Sequence, residues 1–392
     1  MDAHRRSRFT RNLFVALTLL FFFVFVLPVV AAFLLRPVAR AKVIQRLEER
    51  FDRVQLETLD IRIRPGLNFI PRISASGAGL SLSLAGREDA PPFITMDEFQ
   101  VEVDLPSLVR RPIHVRSLDL GELRIQIPPR RQEGDEEPKS EGEPPPPFVV
   151  DELVADGAVL RIFSRKPEKE PLQFDLNQLR VLSAGVGQPM RFEAFLDNAK
   201  PPGKIETKGE FGPLMLEEPG NSPVSGEYVF SDADLSVFGG IGGTLFSEGR
   251  FDGALDHIGV HGFTEMADFQ LKAVGNPVHL RTDFDAIVDG TNGNTLLVPV
   301  NAVLGGSRFR AQGGVARVPE TEKGKTVCVD AAGTDGRIED FLRLAMKSEK
   351  PIMTGEIRFQ SMIRIPPGDV DVVEKIEADG EFAVESAFFP EA

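Results

Sequence analysis

From residue 54 to the end of the chain, apolar and polar residues alternate with a period of two. Leu59, Ile61 and Ile63 alternate with Asp60, Arg62 and Arg64; Phe99, Val101, Val103 and Leu105 alternate with Gln100, Glu102 and Asp104. Further on, Val278, Leu280, Thr282, Phe284, Ala286 and Val288 share one face, while His279, Arg281, Asp283 and Asp285 take the other. Ile357, Phe359, Ile363 and Ile365 repeat the arrangement against Arg358, Gln360 and Arg364. Successive side chains of a strand point to opposite faces, so each segment reads as a strand with one apolar and one wet face. The pattern predicts about eighteen such strands. Connections are short, as at Asp289–Asn294 between two apolar runs, which predicts antiparallel meanders.

Other periodicities are few. Pro106 to Arg111 fits a short helical turn, and Ile338 to Lys347, carrying Phe341, Leu342 and Ala345, fits an amphipathic helix. Leu13 to Leu35 is a run of 23 residues without a charge. About twenty helical residues span a hydrocarbon core, so this run, with Leu13, Phe21, Phe22, Phe23 and Leu35, reads as a membrane anchor. The alternative is a cleavable signal peptide. Arg5, Arg6, Arg8 and Arg11 precede the run, and Ala39-Arg40-Ala41 imitates a cleavage site. Against that, the run exceeds the usual length of about 7–15 residues, and Arg36, Pro37 and Arg40 come before the cut. Basic residues flank both ends, so charge does not orient the span. Pro37 to Arg53, with Val43, Ile44, Leu47 and Phe51, predicts a helix that lies on the membrane or covers one end of the following sheet.

Residues 128–147 hold many prolines and glutamates and almost no apolar side chains. Such a stretch cannot bury enough surface to fold and is expected to be disordered. Strand alternation resumes at Phe148, so it reads as an insertion within one architecture. Composition then removes several classes of function. The chain carries 45 Lys+Arg against 59 Asp+Glu, a net charge of −14, which argues against nucleic acid as a partner. Its single cysteine, Cys328, excludes an internal disulfide framework. The aromatic residues are 30 Phe, one Tyr and no Trp, which favours greasy surfaces without hydrogen-bonding handles.

No constellation reads as chemistry. His257 and His261 lie four apart but in a strand pattern, without a third ligand. Gly239 to Gly243 lacks the Lys-Ser/Thr of a phosphate loop and is expected to be a flexible turn. The Asp289–Asn294 stretch lacks the spacing of a calcium loop and is expected to be a hairpin turn. Cys328 alternates with Val327 and Val329, and no pair of carboxylates stands out as acid and base. We therefore expect no enzyme, no cofactor and no metal site.

Alternation alone leaves a closed barrel, a sandwich and an open trough as ways to place the apolar faces. Two stretches, however, resemble the AsmA-like family, bridge-like lipid-transfer β-groove proteins of Gram-negative inner membranes. The first begins with Leu59-Asp60-Ile61-Arg62-Ile63 and Phe99 to Leu108. It continues through Ile113 to Leu120 and closes on Leu123-Arg124-Ile125. The second runs from Val278 to Phe389 and includes Val288 to Thr295, Gly336 to Ala345, Pro366 to Gly368 and Val372 to Phe382. The resemblance covers about half of the chain. It implies a mainly β fold: one transmembrane helix, then a long twisted antiparallel sheet curled into an open groove, with few short helices. The implied organisation is a cytoplasmic tail (1–12), the span (13–35), a juxtamembrane helix (37–53) and an N-terminal β module (54–127). The insertion (128–147), a central groove (148–277) and a C-terminal β region (278–392) follow. The implied function is phospholipid transport from the inner membrane through the periplasm toward the outer membrane, with phospholipids, the inner membrane and envelope proteins as partners. A scaffold for outer-membrane proteins is the alternative. Expected groove-lining residues are Ile61, Val101, Val103, Val278, Leu280, Phe284, Ala286, Ile357, Phe359 and Ile363. Eighteen strands would extend ~85 Å, and family members continue past Ala392, so a truncated chain is also expected.

Overall fold

The computed structural model describes residues 53–65, 71–83, 91–104, 106–107, 112–127, 148–163, 172–185, 187–213, 215, 219–272, 274–317, 324–348, 350–368 and 370–390. The expected membrane span, with Leu13, Phe21, Phe22, Phe23 and Leu35, lies outside them, as does the insertion at 128–147. The helix expected over 37–53 lies outside them too, except for Arg53, which opens a strand instead. Among the described residues no helix is long and apolar enough to cross a membrane.

Twenty strands and two short α-helices follow one another among these residues. Three of the twenty, β1 (Arg53–Gln55), β6 (Arg124–Ile127) and β12 (Ile241–Gly242), are short pieces that raise the count above the roughly eighteen that alternation predicts. Runs of two to four residues are too short to show a period. The described residues divide into two compact units, one drawn from 53–126, 148–156 and 182–185, the other from 127, 157–181 and 187–390.

In the first unit, β1 and β2 (Thr58–Pro65) pair with successive stretches of β3 (Pro71–Ser83). β3 in turn pairs with β4 (Ile94–Asp104), and β4 with β5 (Ile113–Gly121) and then β6. Glu122, at φ 53°, breaks the path between β5 and β6. The first half of β7 (Phe148–Ile162) then runs parallel to β5, contrary to the expected all-antiparallel meander. A parallel neighbour needs a crossover of a dozen residues or more, and the 128–147 segment supplies that length.

The second unit begins with the rest of β7 and most of β8 (Leu172–Gly185). An antiparallel run of strands follows: β9 (Met190–Ala199), β10 (Pro202–Phe211), β11 (Pro223–Asp234), β13 (Thr244–Ala254), β14 (His257–Leu271) and β15 (Val278–Val288). It continues through β16 (Thr295–Leu304), β17 (Ser307–Ala316), β18 (Thr326–Arg337), β19 (Thr354–Ile365) and β20 (Glu377–Phe388). Each of these eleven strands pairs with the next, and β12 adds a small pairing at the end of β14. Seven of the ten ladders carry a register shift, from Phe230/Ala233 in the β11–β13 ladder to Thr354/Glu356 in the β19–β20 ladder. Bulges bend the strand that carries them and raise its twist, so this sheet is curled by construction. The expected helix over 338–347 is α1 (Ile338–Ala345), in the β18–β19 connection. The second, α2 (Val372–Lys375), is a single turn in the β19–β20 connection.

Candidate functional site

The long face of the second unit's sheet can be built row by row from the register. One row crosses all eleven strands of the meander. From β9 to β14 it is Phe192, Gly209, Gly226, Phe251 and Val260; from β15 to β20 it is Ala286, Leu297, Gly313, Val329, Ile363 and Ala378. No polar side chain interrupts it. The next row toward the strand ends begins Met190, Phe211, Val224 and holds a single Thr295 among apolar or Gly positions as far as Ile365. On the opposite face Glu193, Lys208, Glu227 and Arg250 alternate in sign from strand to strand, and His261 and Asp285 are the next cross-strand neighbours. Lys208 Nζ lies 2.8 Å from Glu227, and His261 Nδ1 lies 2.5 Å from Asp285. The hydrogen bond from Lys208 and its charge hold the Glu227 carboxyl below its usual range and raise the ammonium.

What fills the apolar face decides the architecture. Two sheets packed as a sandwich bury their large side chains at close-packed density. Here, among the described residues, no Phe is fully buried; most are half-buried, and Phe382 is 72% exposed. Among the described residues the only side chains sealed almost completely and larger than alanine are Ser222 and Ser307. The apolar row thus runs across a long curled sheet with most of its side chains half-buried.

Near mid-strand one stretch of this lining is hydroxylic. Ser247, Thr264 and Thr282 are cross-strand neighbours, with Tyr228 beside Ser247. Ser247 donates to the Phe263 carbonyl at 3.0 Å, so its single proton is taken and Tyr228 donates to it at 3.1 Å. Thr264 and Thr282 bond each other at 2.6 Å. These bonds let hydroxyls sit on a greasy surface without leaving their polar atoms bare. Burial raises the Tyr228 pKa, against the opposing bond to Ser247.

The chain also covers part of the lining itself. Phe341 of α1 meets Phe359 edge-on at 5.2 Å between ring centres, and Phe309 lies 5.8 Å from Phe359. α1 is held from two sides. Asp340 accepts from the Gly306 N–H at 2.9 Å and the Ser307 hydroxyl at 2.8 Å, while Asn276 donates to the Met346 and Ser348 carbonyls at 3.0 and 2.9 Å. Met266, Leu304, Ile338 and Ile357 are buried in this part of the unit.

The expected lining residues fall into groups. Val278, Leu280, Phe284 and Ala286 share one face of β15, and Ile357, Phe359 and Ile363 one face of β19. Ala286 and Ile363 lie in the uninterrupted row. Ile357 is buried and Phe359 packs against the ring of Phe341, so these two belong to the stretch covered by protein. Ile61 and Val101 occupy a row of the first unit that reads Ile61, Ala75, Val101, Leu118 and Leu153; Val103 pairs with Ile73 in the row beyond. Phe192, Phe251, Val260, Leu297 and Val329 were not among the expected lining residues, because the row they share runs through glycines at 209, 226 and 313, which carry no apolar side chain.

The remaining motifs have local roles. His257 and His261 are exposed on β14, and among the described residues no three His, Cys, Asp or Glu side chains converge. In the β15–β16 hairpin, Asp289 accepts from the Thr291 N–H at 2.9 Å and hydroxyl at 2.6 Å. Cys328 is exposed. Gly239 to Gly243, expected to be a loose turn, is a contact point: the Val372 N–H of α2 donates to the Gly239 carbonyl at 3.3 Å.

No protein-family model matches this chain. No curated protein matches it.

Proposed function

We propose that the protein is a membrane-anchored, non-enzymatic carrier whose curled sheet holds phospholipid acyl chains on its apolar lining and passes them from the inner membrane through the periplasm toward the outer membrane. The observation that carries this reading is the eleven-strand row without a polar side chain on a surface where no described Phe is buried. Acyl chains offer no hydrogen-bond partners, so a lining of Phe, Leu, Val and Gly suits them where Trp and Tyr would add unused polar groups. At ~25 cal/mol per Å² of apolar area removed from water, covering such a lining is worth many kcal/mol, which favours an apolar occupant. The charged outer face keeps that side in water. The apolar run Leu13–Leu35 supports the anchoring, and the likeness to AsmA-like proteins supports the compartment and the direction.

The test places a photoreactive amino acid at Phe251, Leu297 or Ile363 on the lining and at Arg250 or Arg364 on the outer face of the full chain, in living Gram-negative cells. Lining probes are expected to capture phospholipid, identified by mass spectrometry, and outer probes are not. Equal capture from both faces, or none, would sink the reading.

A second reading is a scaffold that pairs client strands with a sheet edge. It draws on β20, which among the described strands is paired only with β19 and exposes Phe382 and Phe388. Probes at Glu381 and Glu385 capturing a protein, with lining probes capturing nothing, would favour it.

A further inference from the structure

The contact between α2 and the Gly239–Gly240 bend joins parts of the second unit that the ladder order keeps far apart. The bend follows the C-terminal end of β11, whereas α2 follows the C-terminal end of β19. In the register, Ile365 at the end of β19 stands in the same row as Val224 near the start of β11, seven ladders away. In a flat sheet the two C-terminal ends would therefore lie on the order of 50 Å apart, more than the short connections can reach. They touch because the sheet curls until its two rims meet.

The contact is close. Gly239 and Gly240 have φ of 65° and 72°, and a Cβ on Gly239 would come within 2.1 Å of Asp371 Oδ1. One on Gly240 would lie 2.8 Å from Val373 Cγ2 and 3.2 Å from Val373 Cβ. On the same bend, the Gly240 carbonyl accepts from the Lys272 N–H at 2.9 Å, which ties the landing point to the end of β14. Glycine is required twice over here, for the left-handed backbone and for the close approach.

We infer that α2 with its flanking residues is a gate: a strap that closes the trough rim to rim and must lift for an acyl-chain cargo to enter or leave sideways. This rests on the carrier reading above. The strap is lightly held. α2 has four residues, none of them buried, and its one main-chain hydrogen bond to the far rim is at the long end of the range. The residues before it are Pro366, Pro367 and Gly368, and Lys375 Nζ bonds the Gly368 carbonyl at 2.6 Å, so the strap is braced chiefly on itself. β20, which follows, is exposed along almost its whole length. Segments with few buried contacts open first, well below the cost of global unfolding. α1 is the counter-example, fixed by Ser307, Asn276 and Asp340.

The experiment uses the full chain in liposomes with Cys328→Ser as background. Cysteines at Gly240 and Val373 form a lock, since the Cβ separation is within a few tenths of an ångström of disulfide geometry. Transfer of a fluorescent phosphatidylethanolamine between the protein and acceptor vesicles is followed with the lock oxidised and reduced. A Val373→Glu variant without cysteines serves as an opened strap. Oxidation is expected to slow transfer at least about tenfold relative to the reduced form, and Val373→Glu to speed it above the background protein. Equal rates in all forms that bind the lipid, Val373→Glu included, would overturn the gate and leave the carrier standing. No lipid bound in any form would overturn both.

Discussion

Two stretches of the same lining behave differently. Around Phe359 the apolar face is roofed by α1: Phe309, Phe341 and Phe359 meet ring to ring, with Ile338 and Ile357 buried beside them. Along Phe251, Val260, Leu297 and Val329 the same alternation, with the same residue types, leaves side chains half-buried like those three rings, and what differs is the element packed on them. The difference is not in hydrophobicity. It arises because the β18–β19 connection is long enough to fold a helix back over the strands, and Asp340 and Ser307 hold it there. An apolar strand face is thus a lining only where no connection returns to cover it. Substitutions should therefore separate into those that cost stability and those that cost cargo.

The largest effect is expected from Phe359→Ala, which removes the ring between two others. Urea unfolding should show a loss of about 3 kcal/mol, with capture of lipid by a probe at Leu297 unchanged. Loss of capture with no loss of stability would erase the distinction between the two stretches. Leu297→Asp should do the reverse. A carboxylate in the uninterrupted row should abolish lipid capture by probes at Val260 and Val329, each two strands away in that row, while stability changes by about 1 kcal/mol or less. The smallest effect sharpens the strap. Asp234 accepts from the Ser236 N–H and hydroxyl, both at 2.8 Å, and caps the Leu235–Phe238 turn that leads to Gly239. The bond from the Ser236 N–H, and then that from its hydroxyl, holds the Asp234 carboxyl below its ordinary value. A depressed carboxyl stabilises the fold above its unfolded pKa and loses that contribution as pH falls through the folded one. Thermal midpoints of the protein and of Asp234→Ala should therefore differ slightly at neutral pH and converge in acid. A difference that grows toward low pH would contradict the assignment.

Much of this was legible in the residues, and the failures have physical causes. Alternation places Phe284 and Ala286 on the same face of β15 as the structure does, because a two-residue period is geometric and needs no partner. It could not place Gly209, Gly226 and Gly313 in the apolar row, because a residue without a side chain has no sign in the pattern. The parallel β5–β7 pair was missed because strand direction is set by the crossover between the strands and not by the strands themselves. Gly239–Gly243 looked like slack chain because the residues that need those glycines, Asp371 and Val373, lie more than a hundred positions away. Phe359 was read as lining for a similar reason: its cover, Phe341, belongs to a different element.

The hydroxyls of Ser247, Thr264 and Thr282 bear on how a cargo would travel. On the uninterrupted row one position is energetically much like the next, so an acyl chain there would diffuse in one dimension over a nearly level landscape. The hydroxyl stretch lies off that row, four residues along the strands from Phe251, Val260 and Ala286 and close to mid-strand on β14 and β15, so a molecule that strayed onto it would lose contact with hydrocarbon. It would act as a shallow hurdle or a resting point according to whether the cargo brings an oxygen to it. Three small side chains would then mark where a cargo pauses or turns back when it leaves that row.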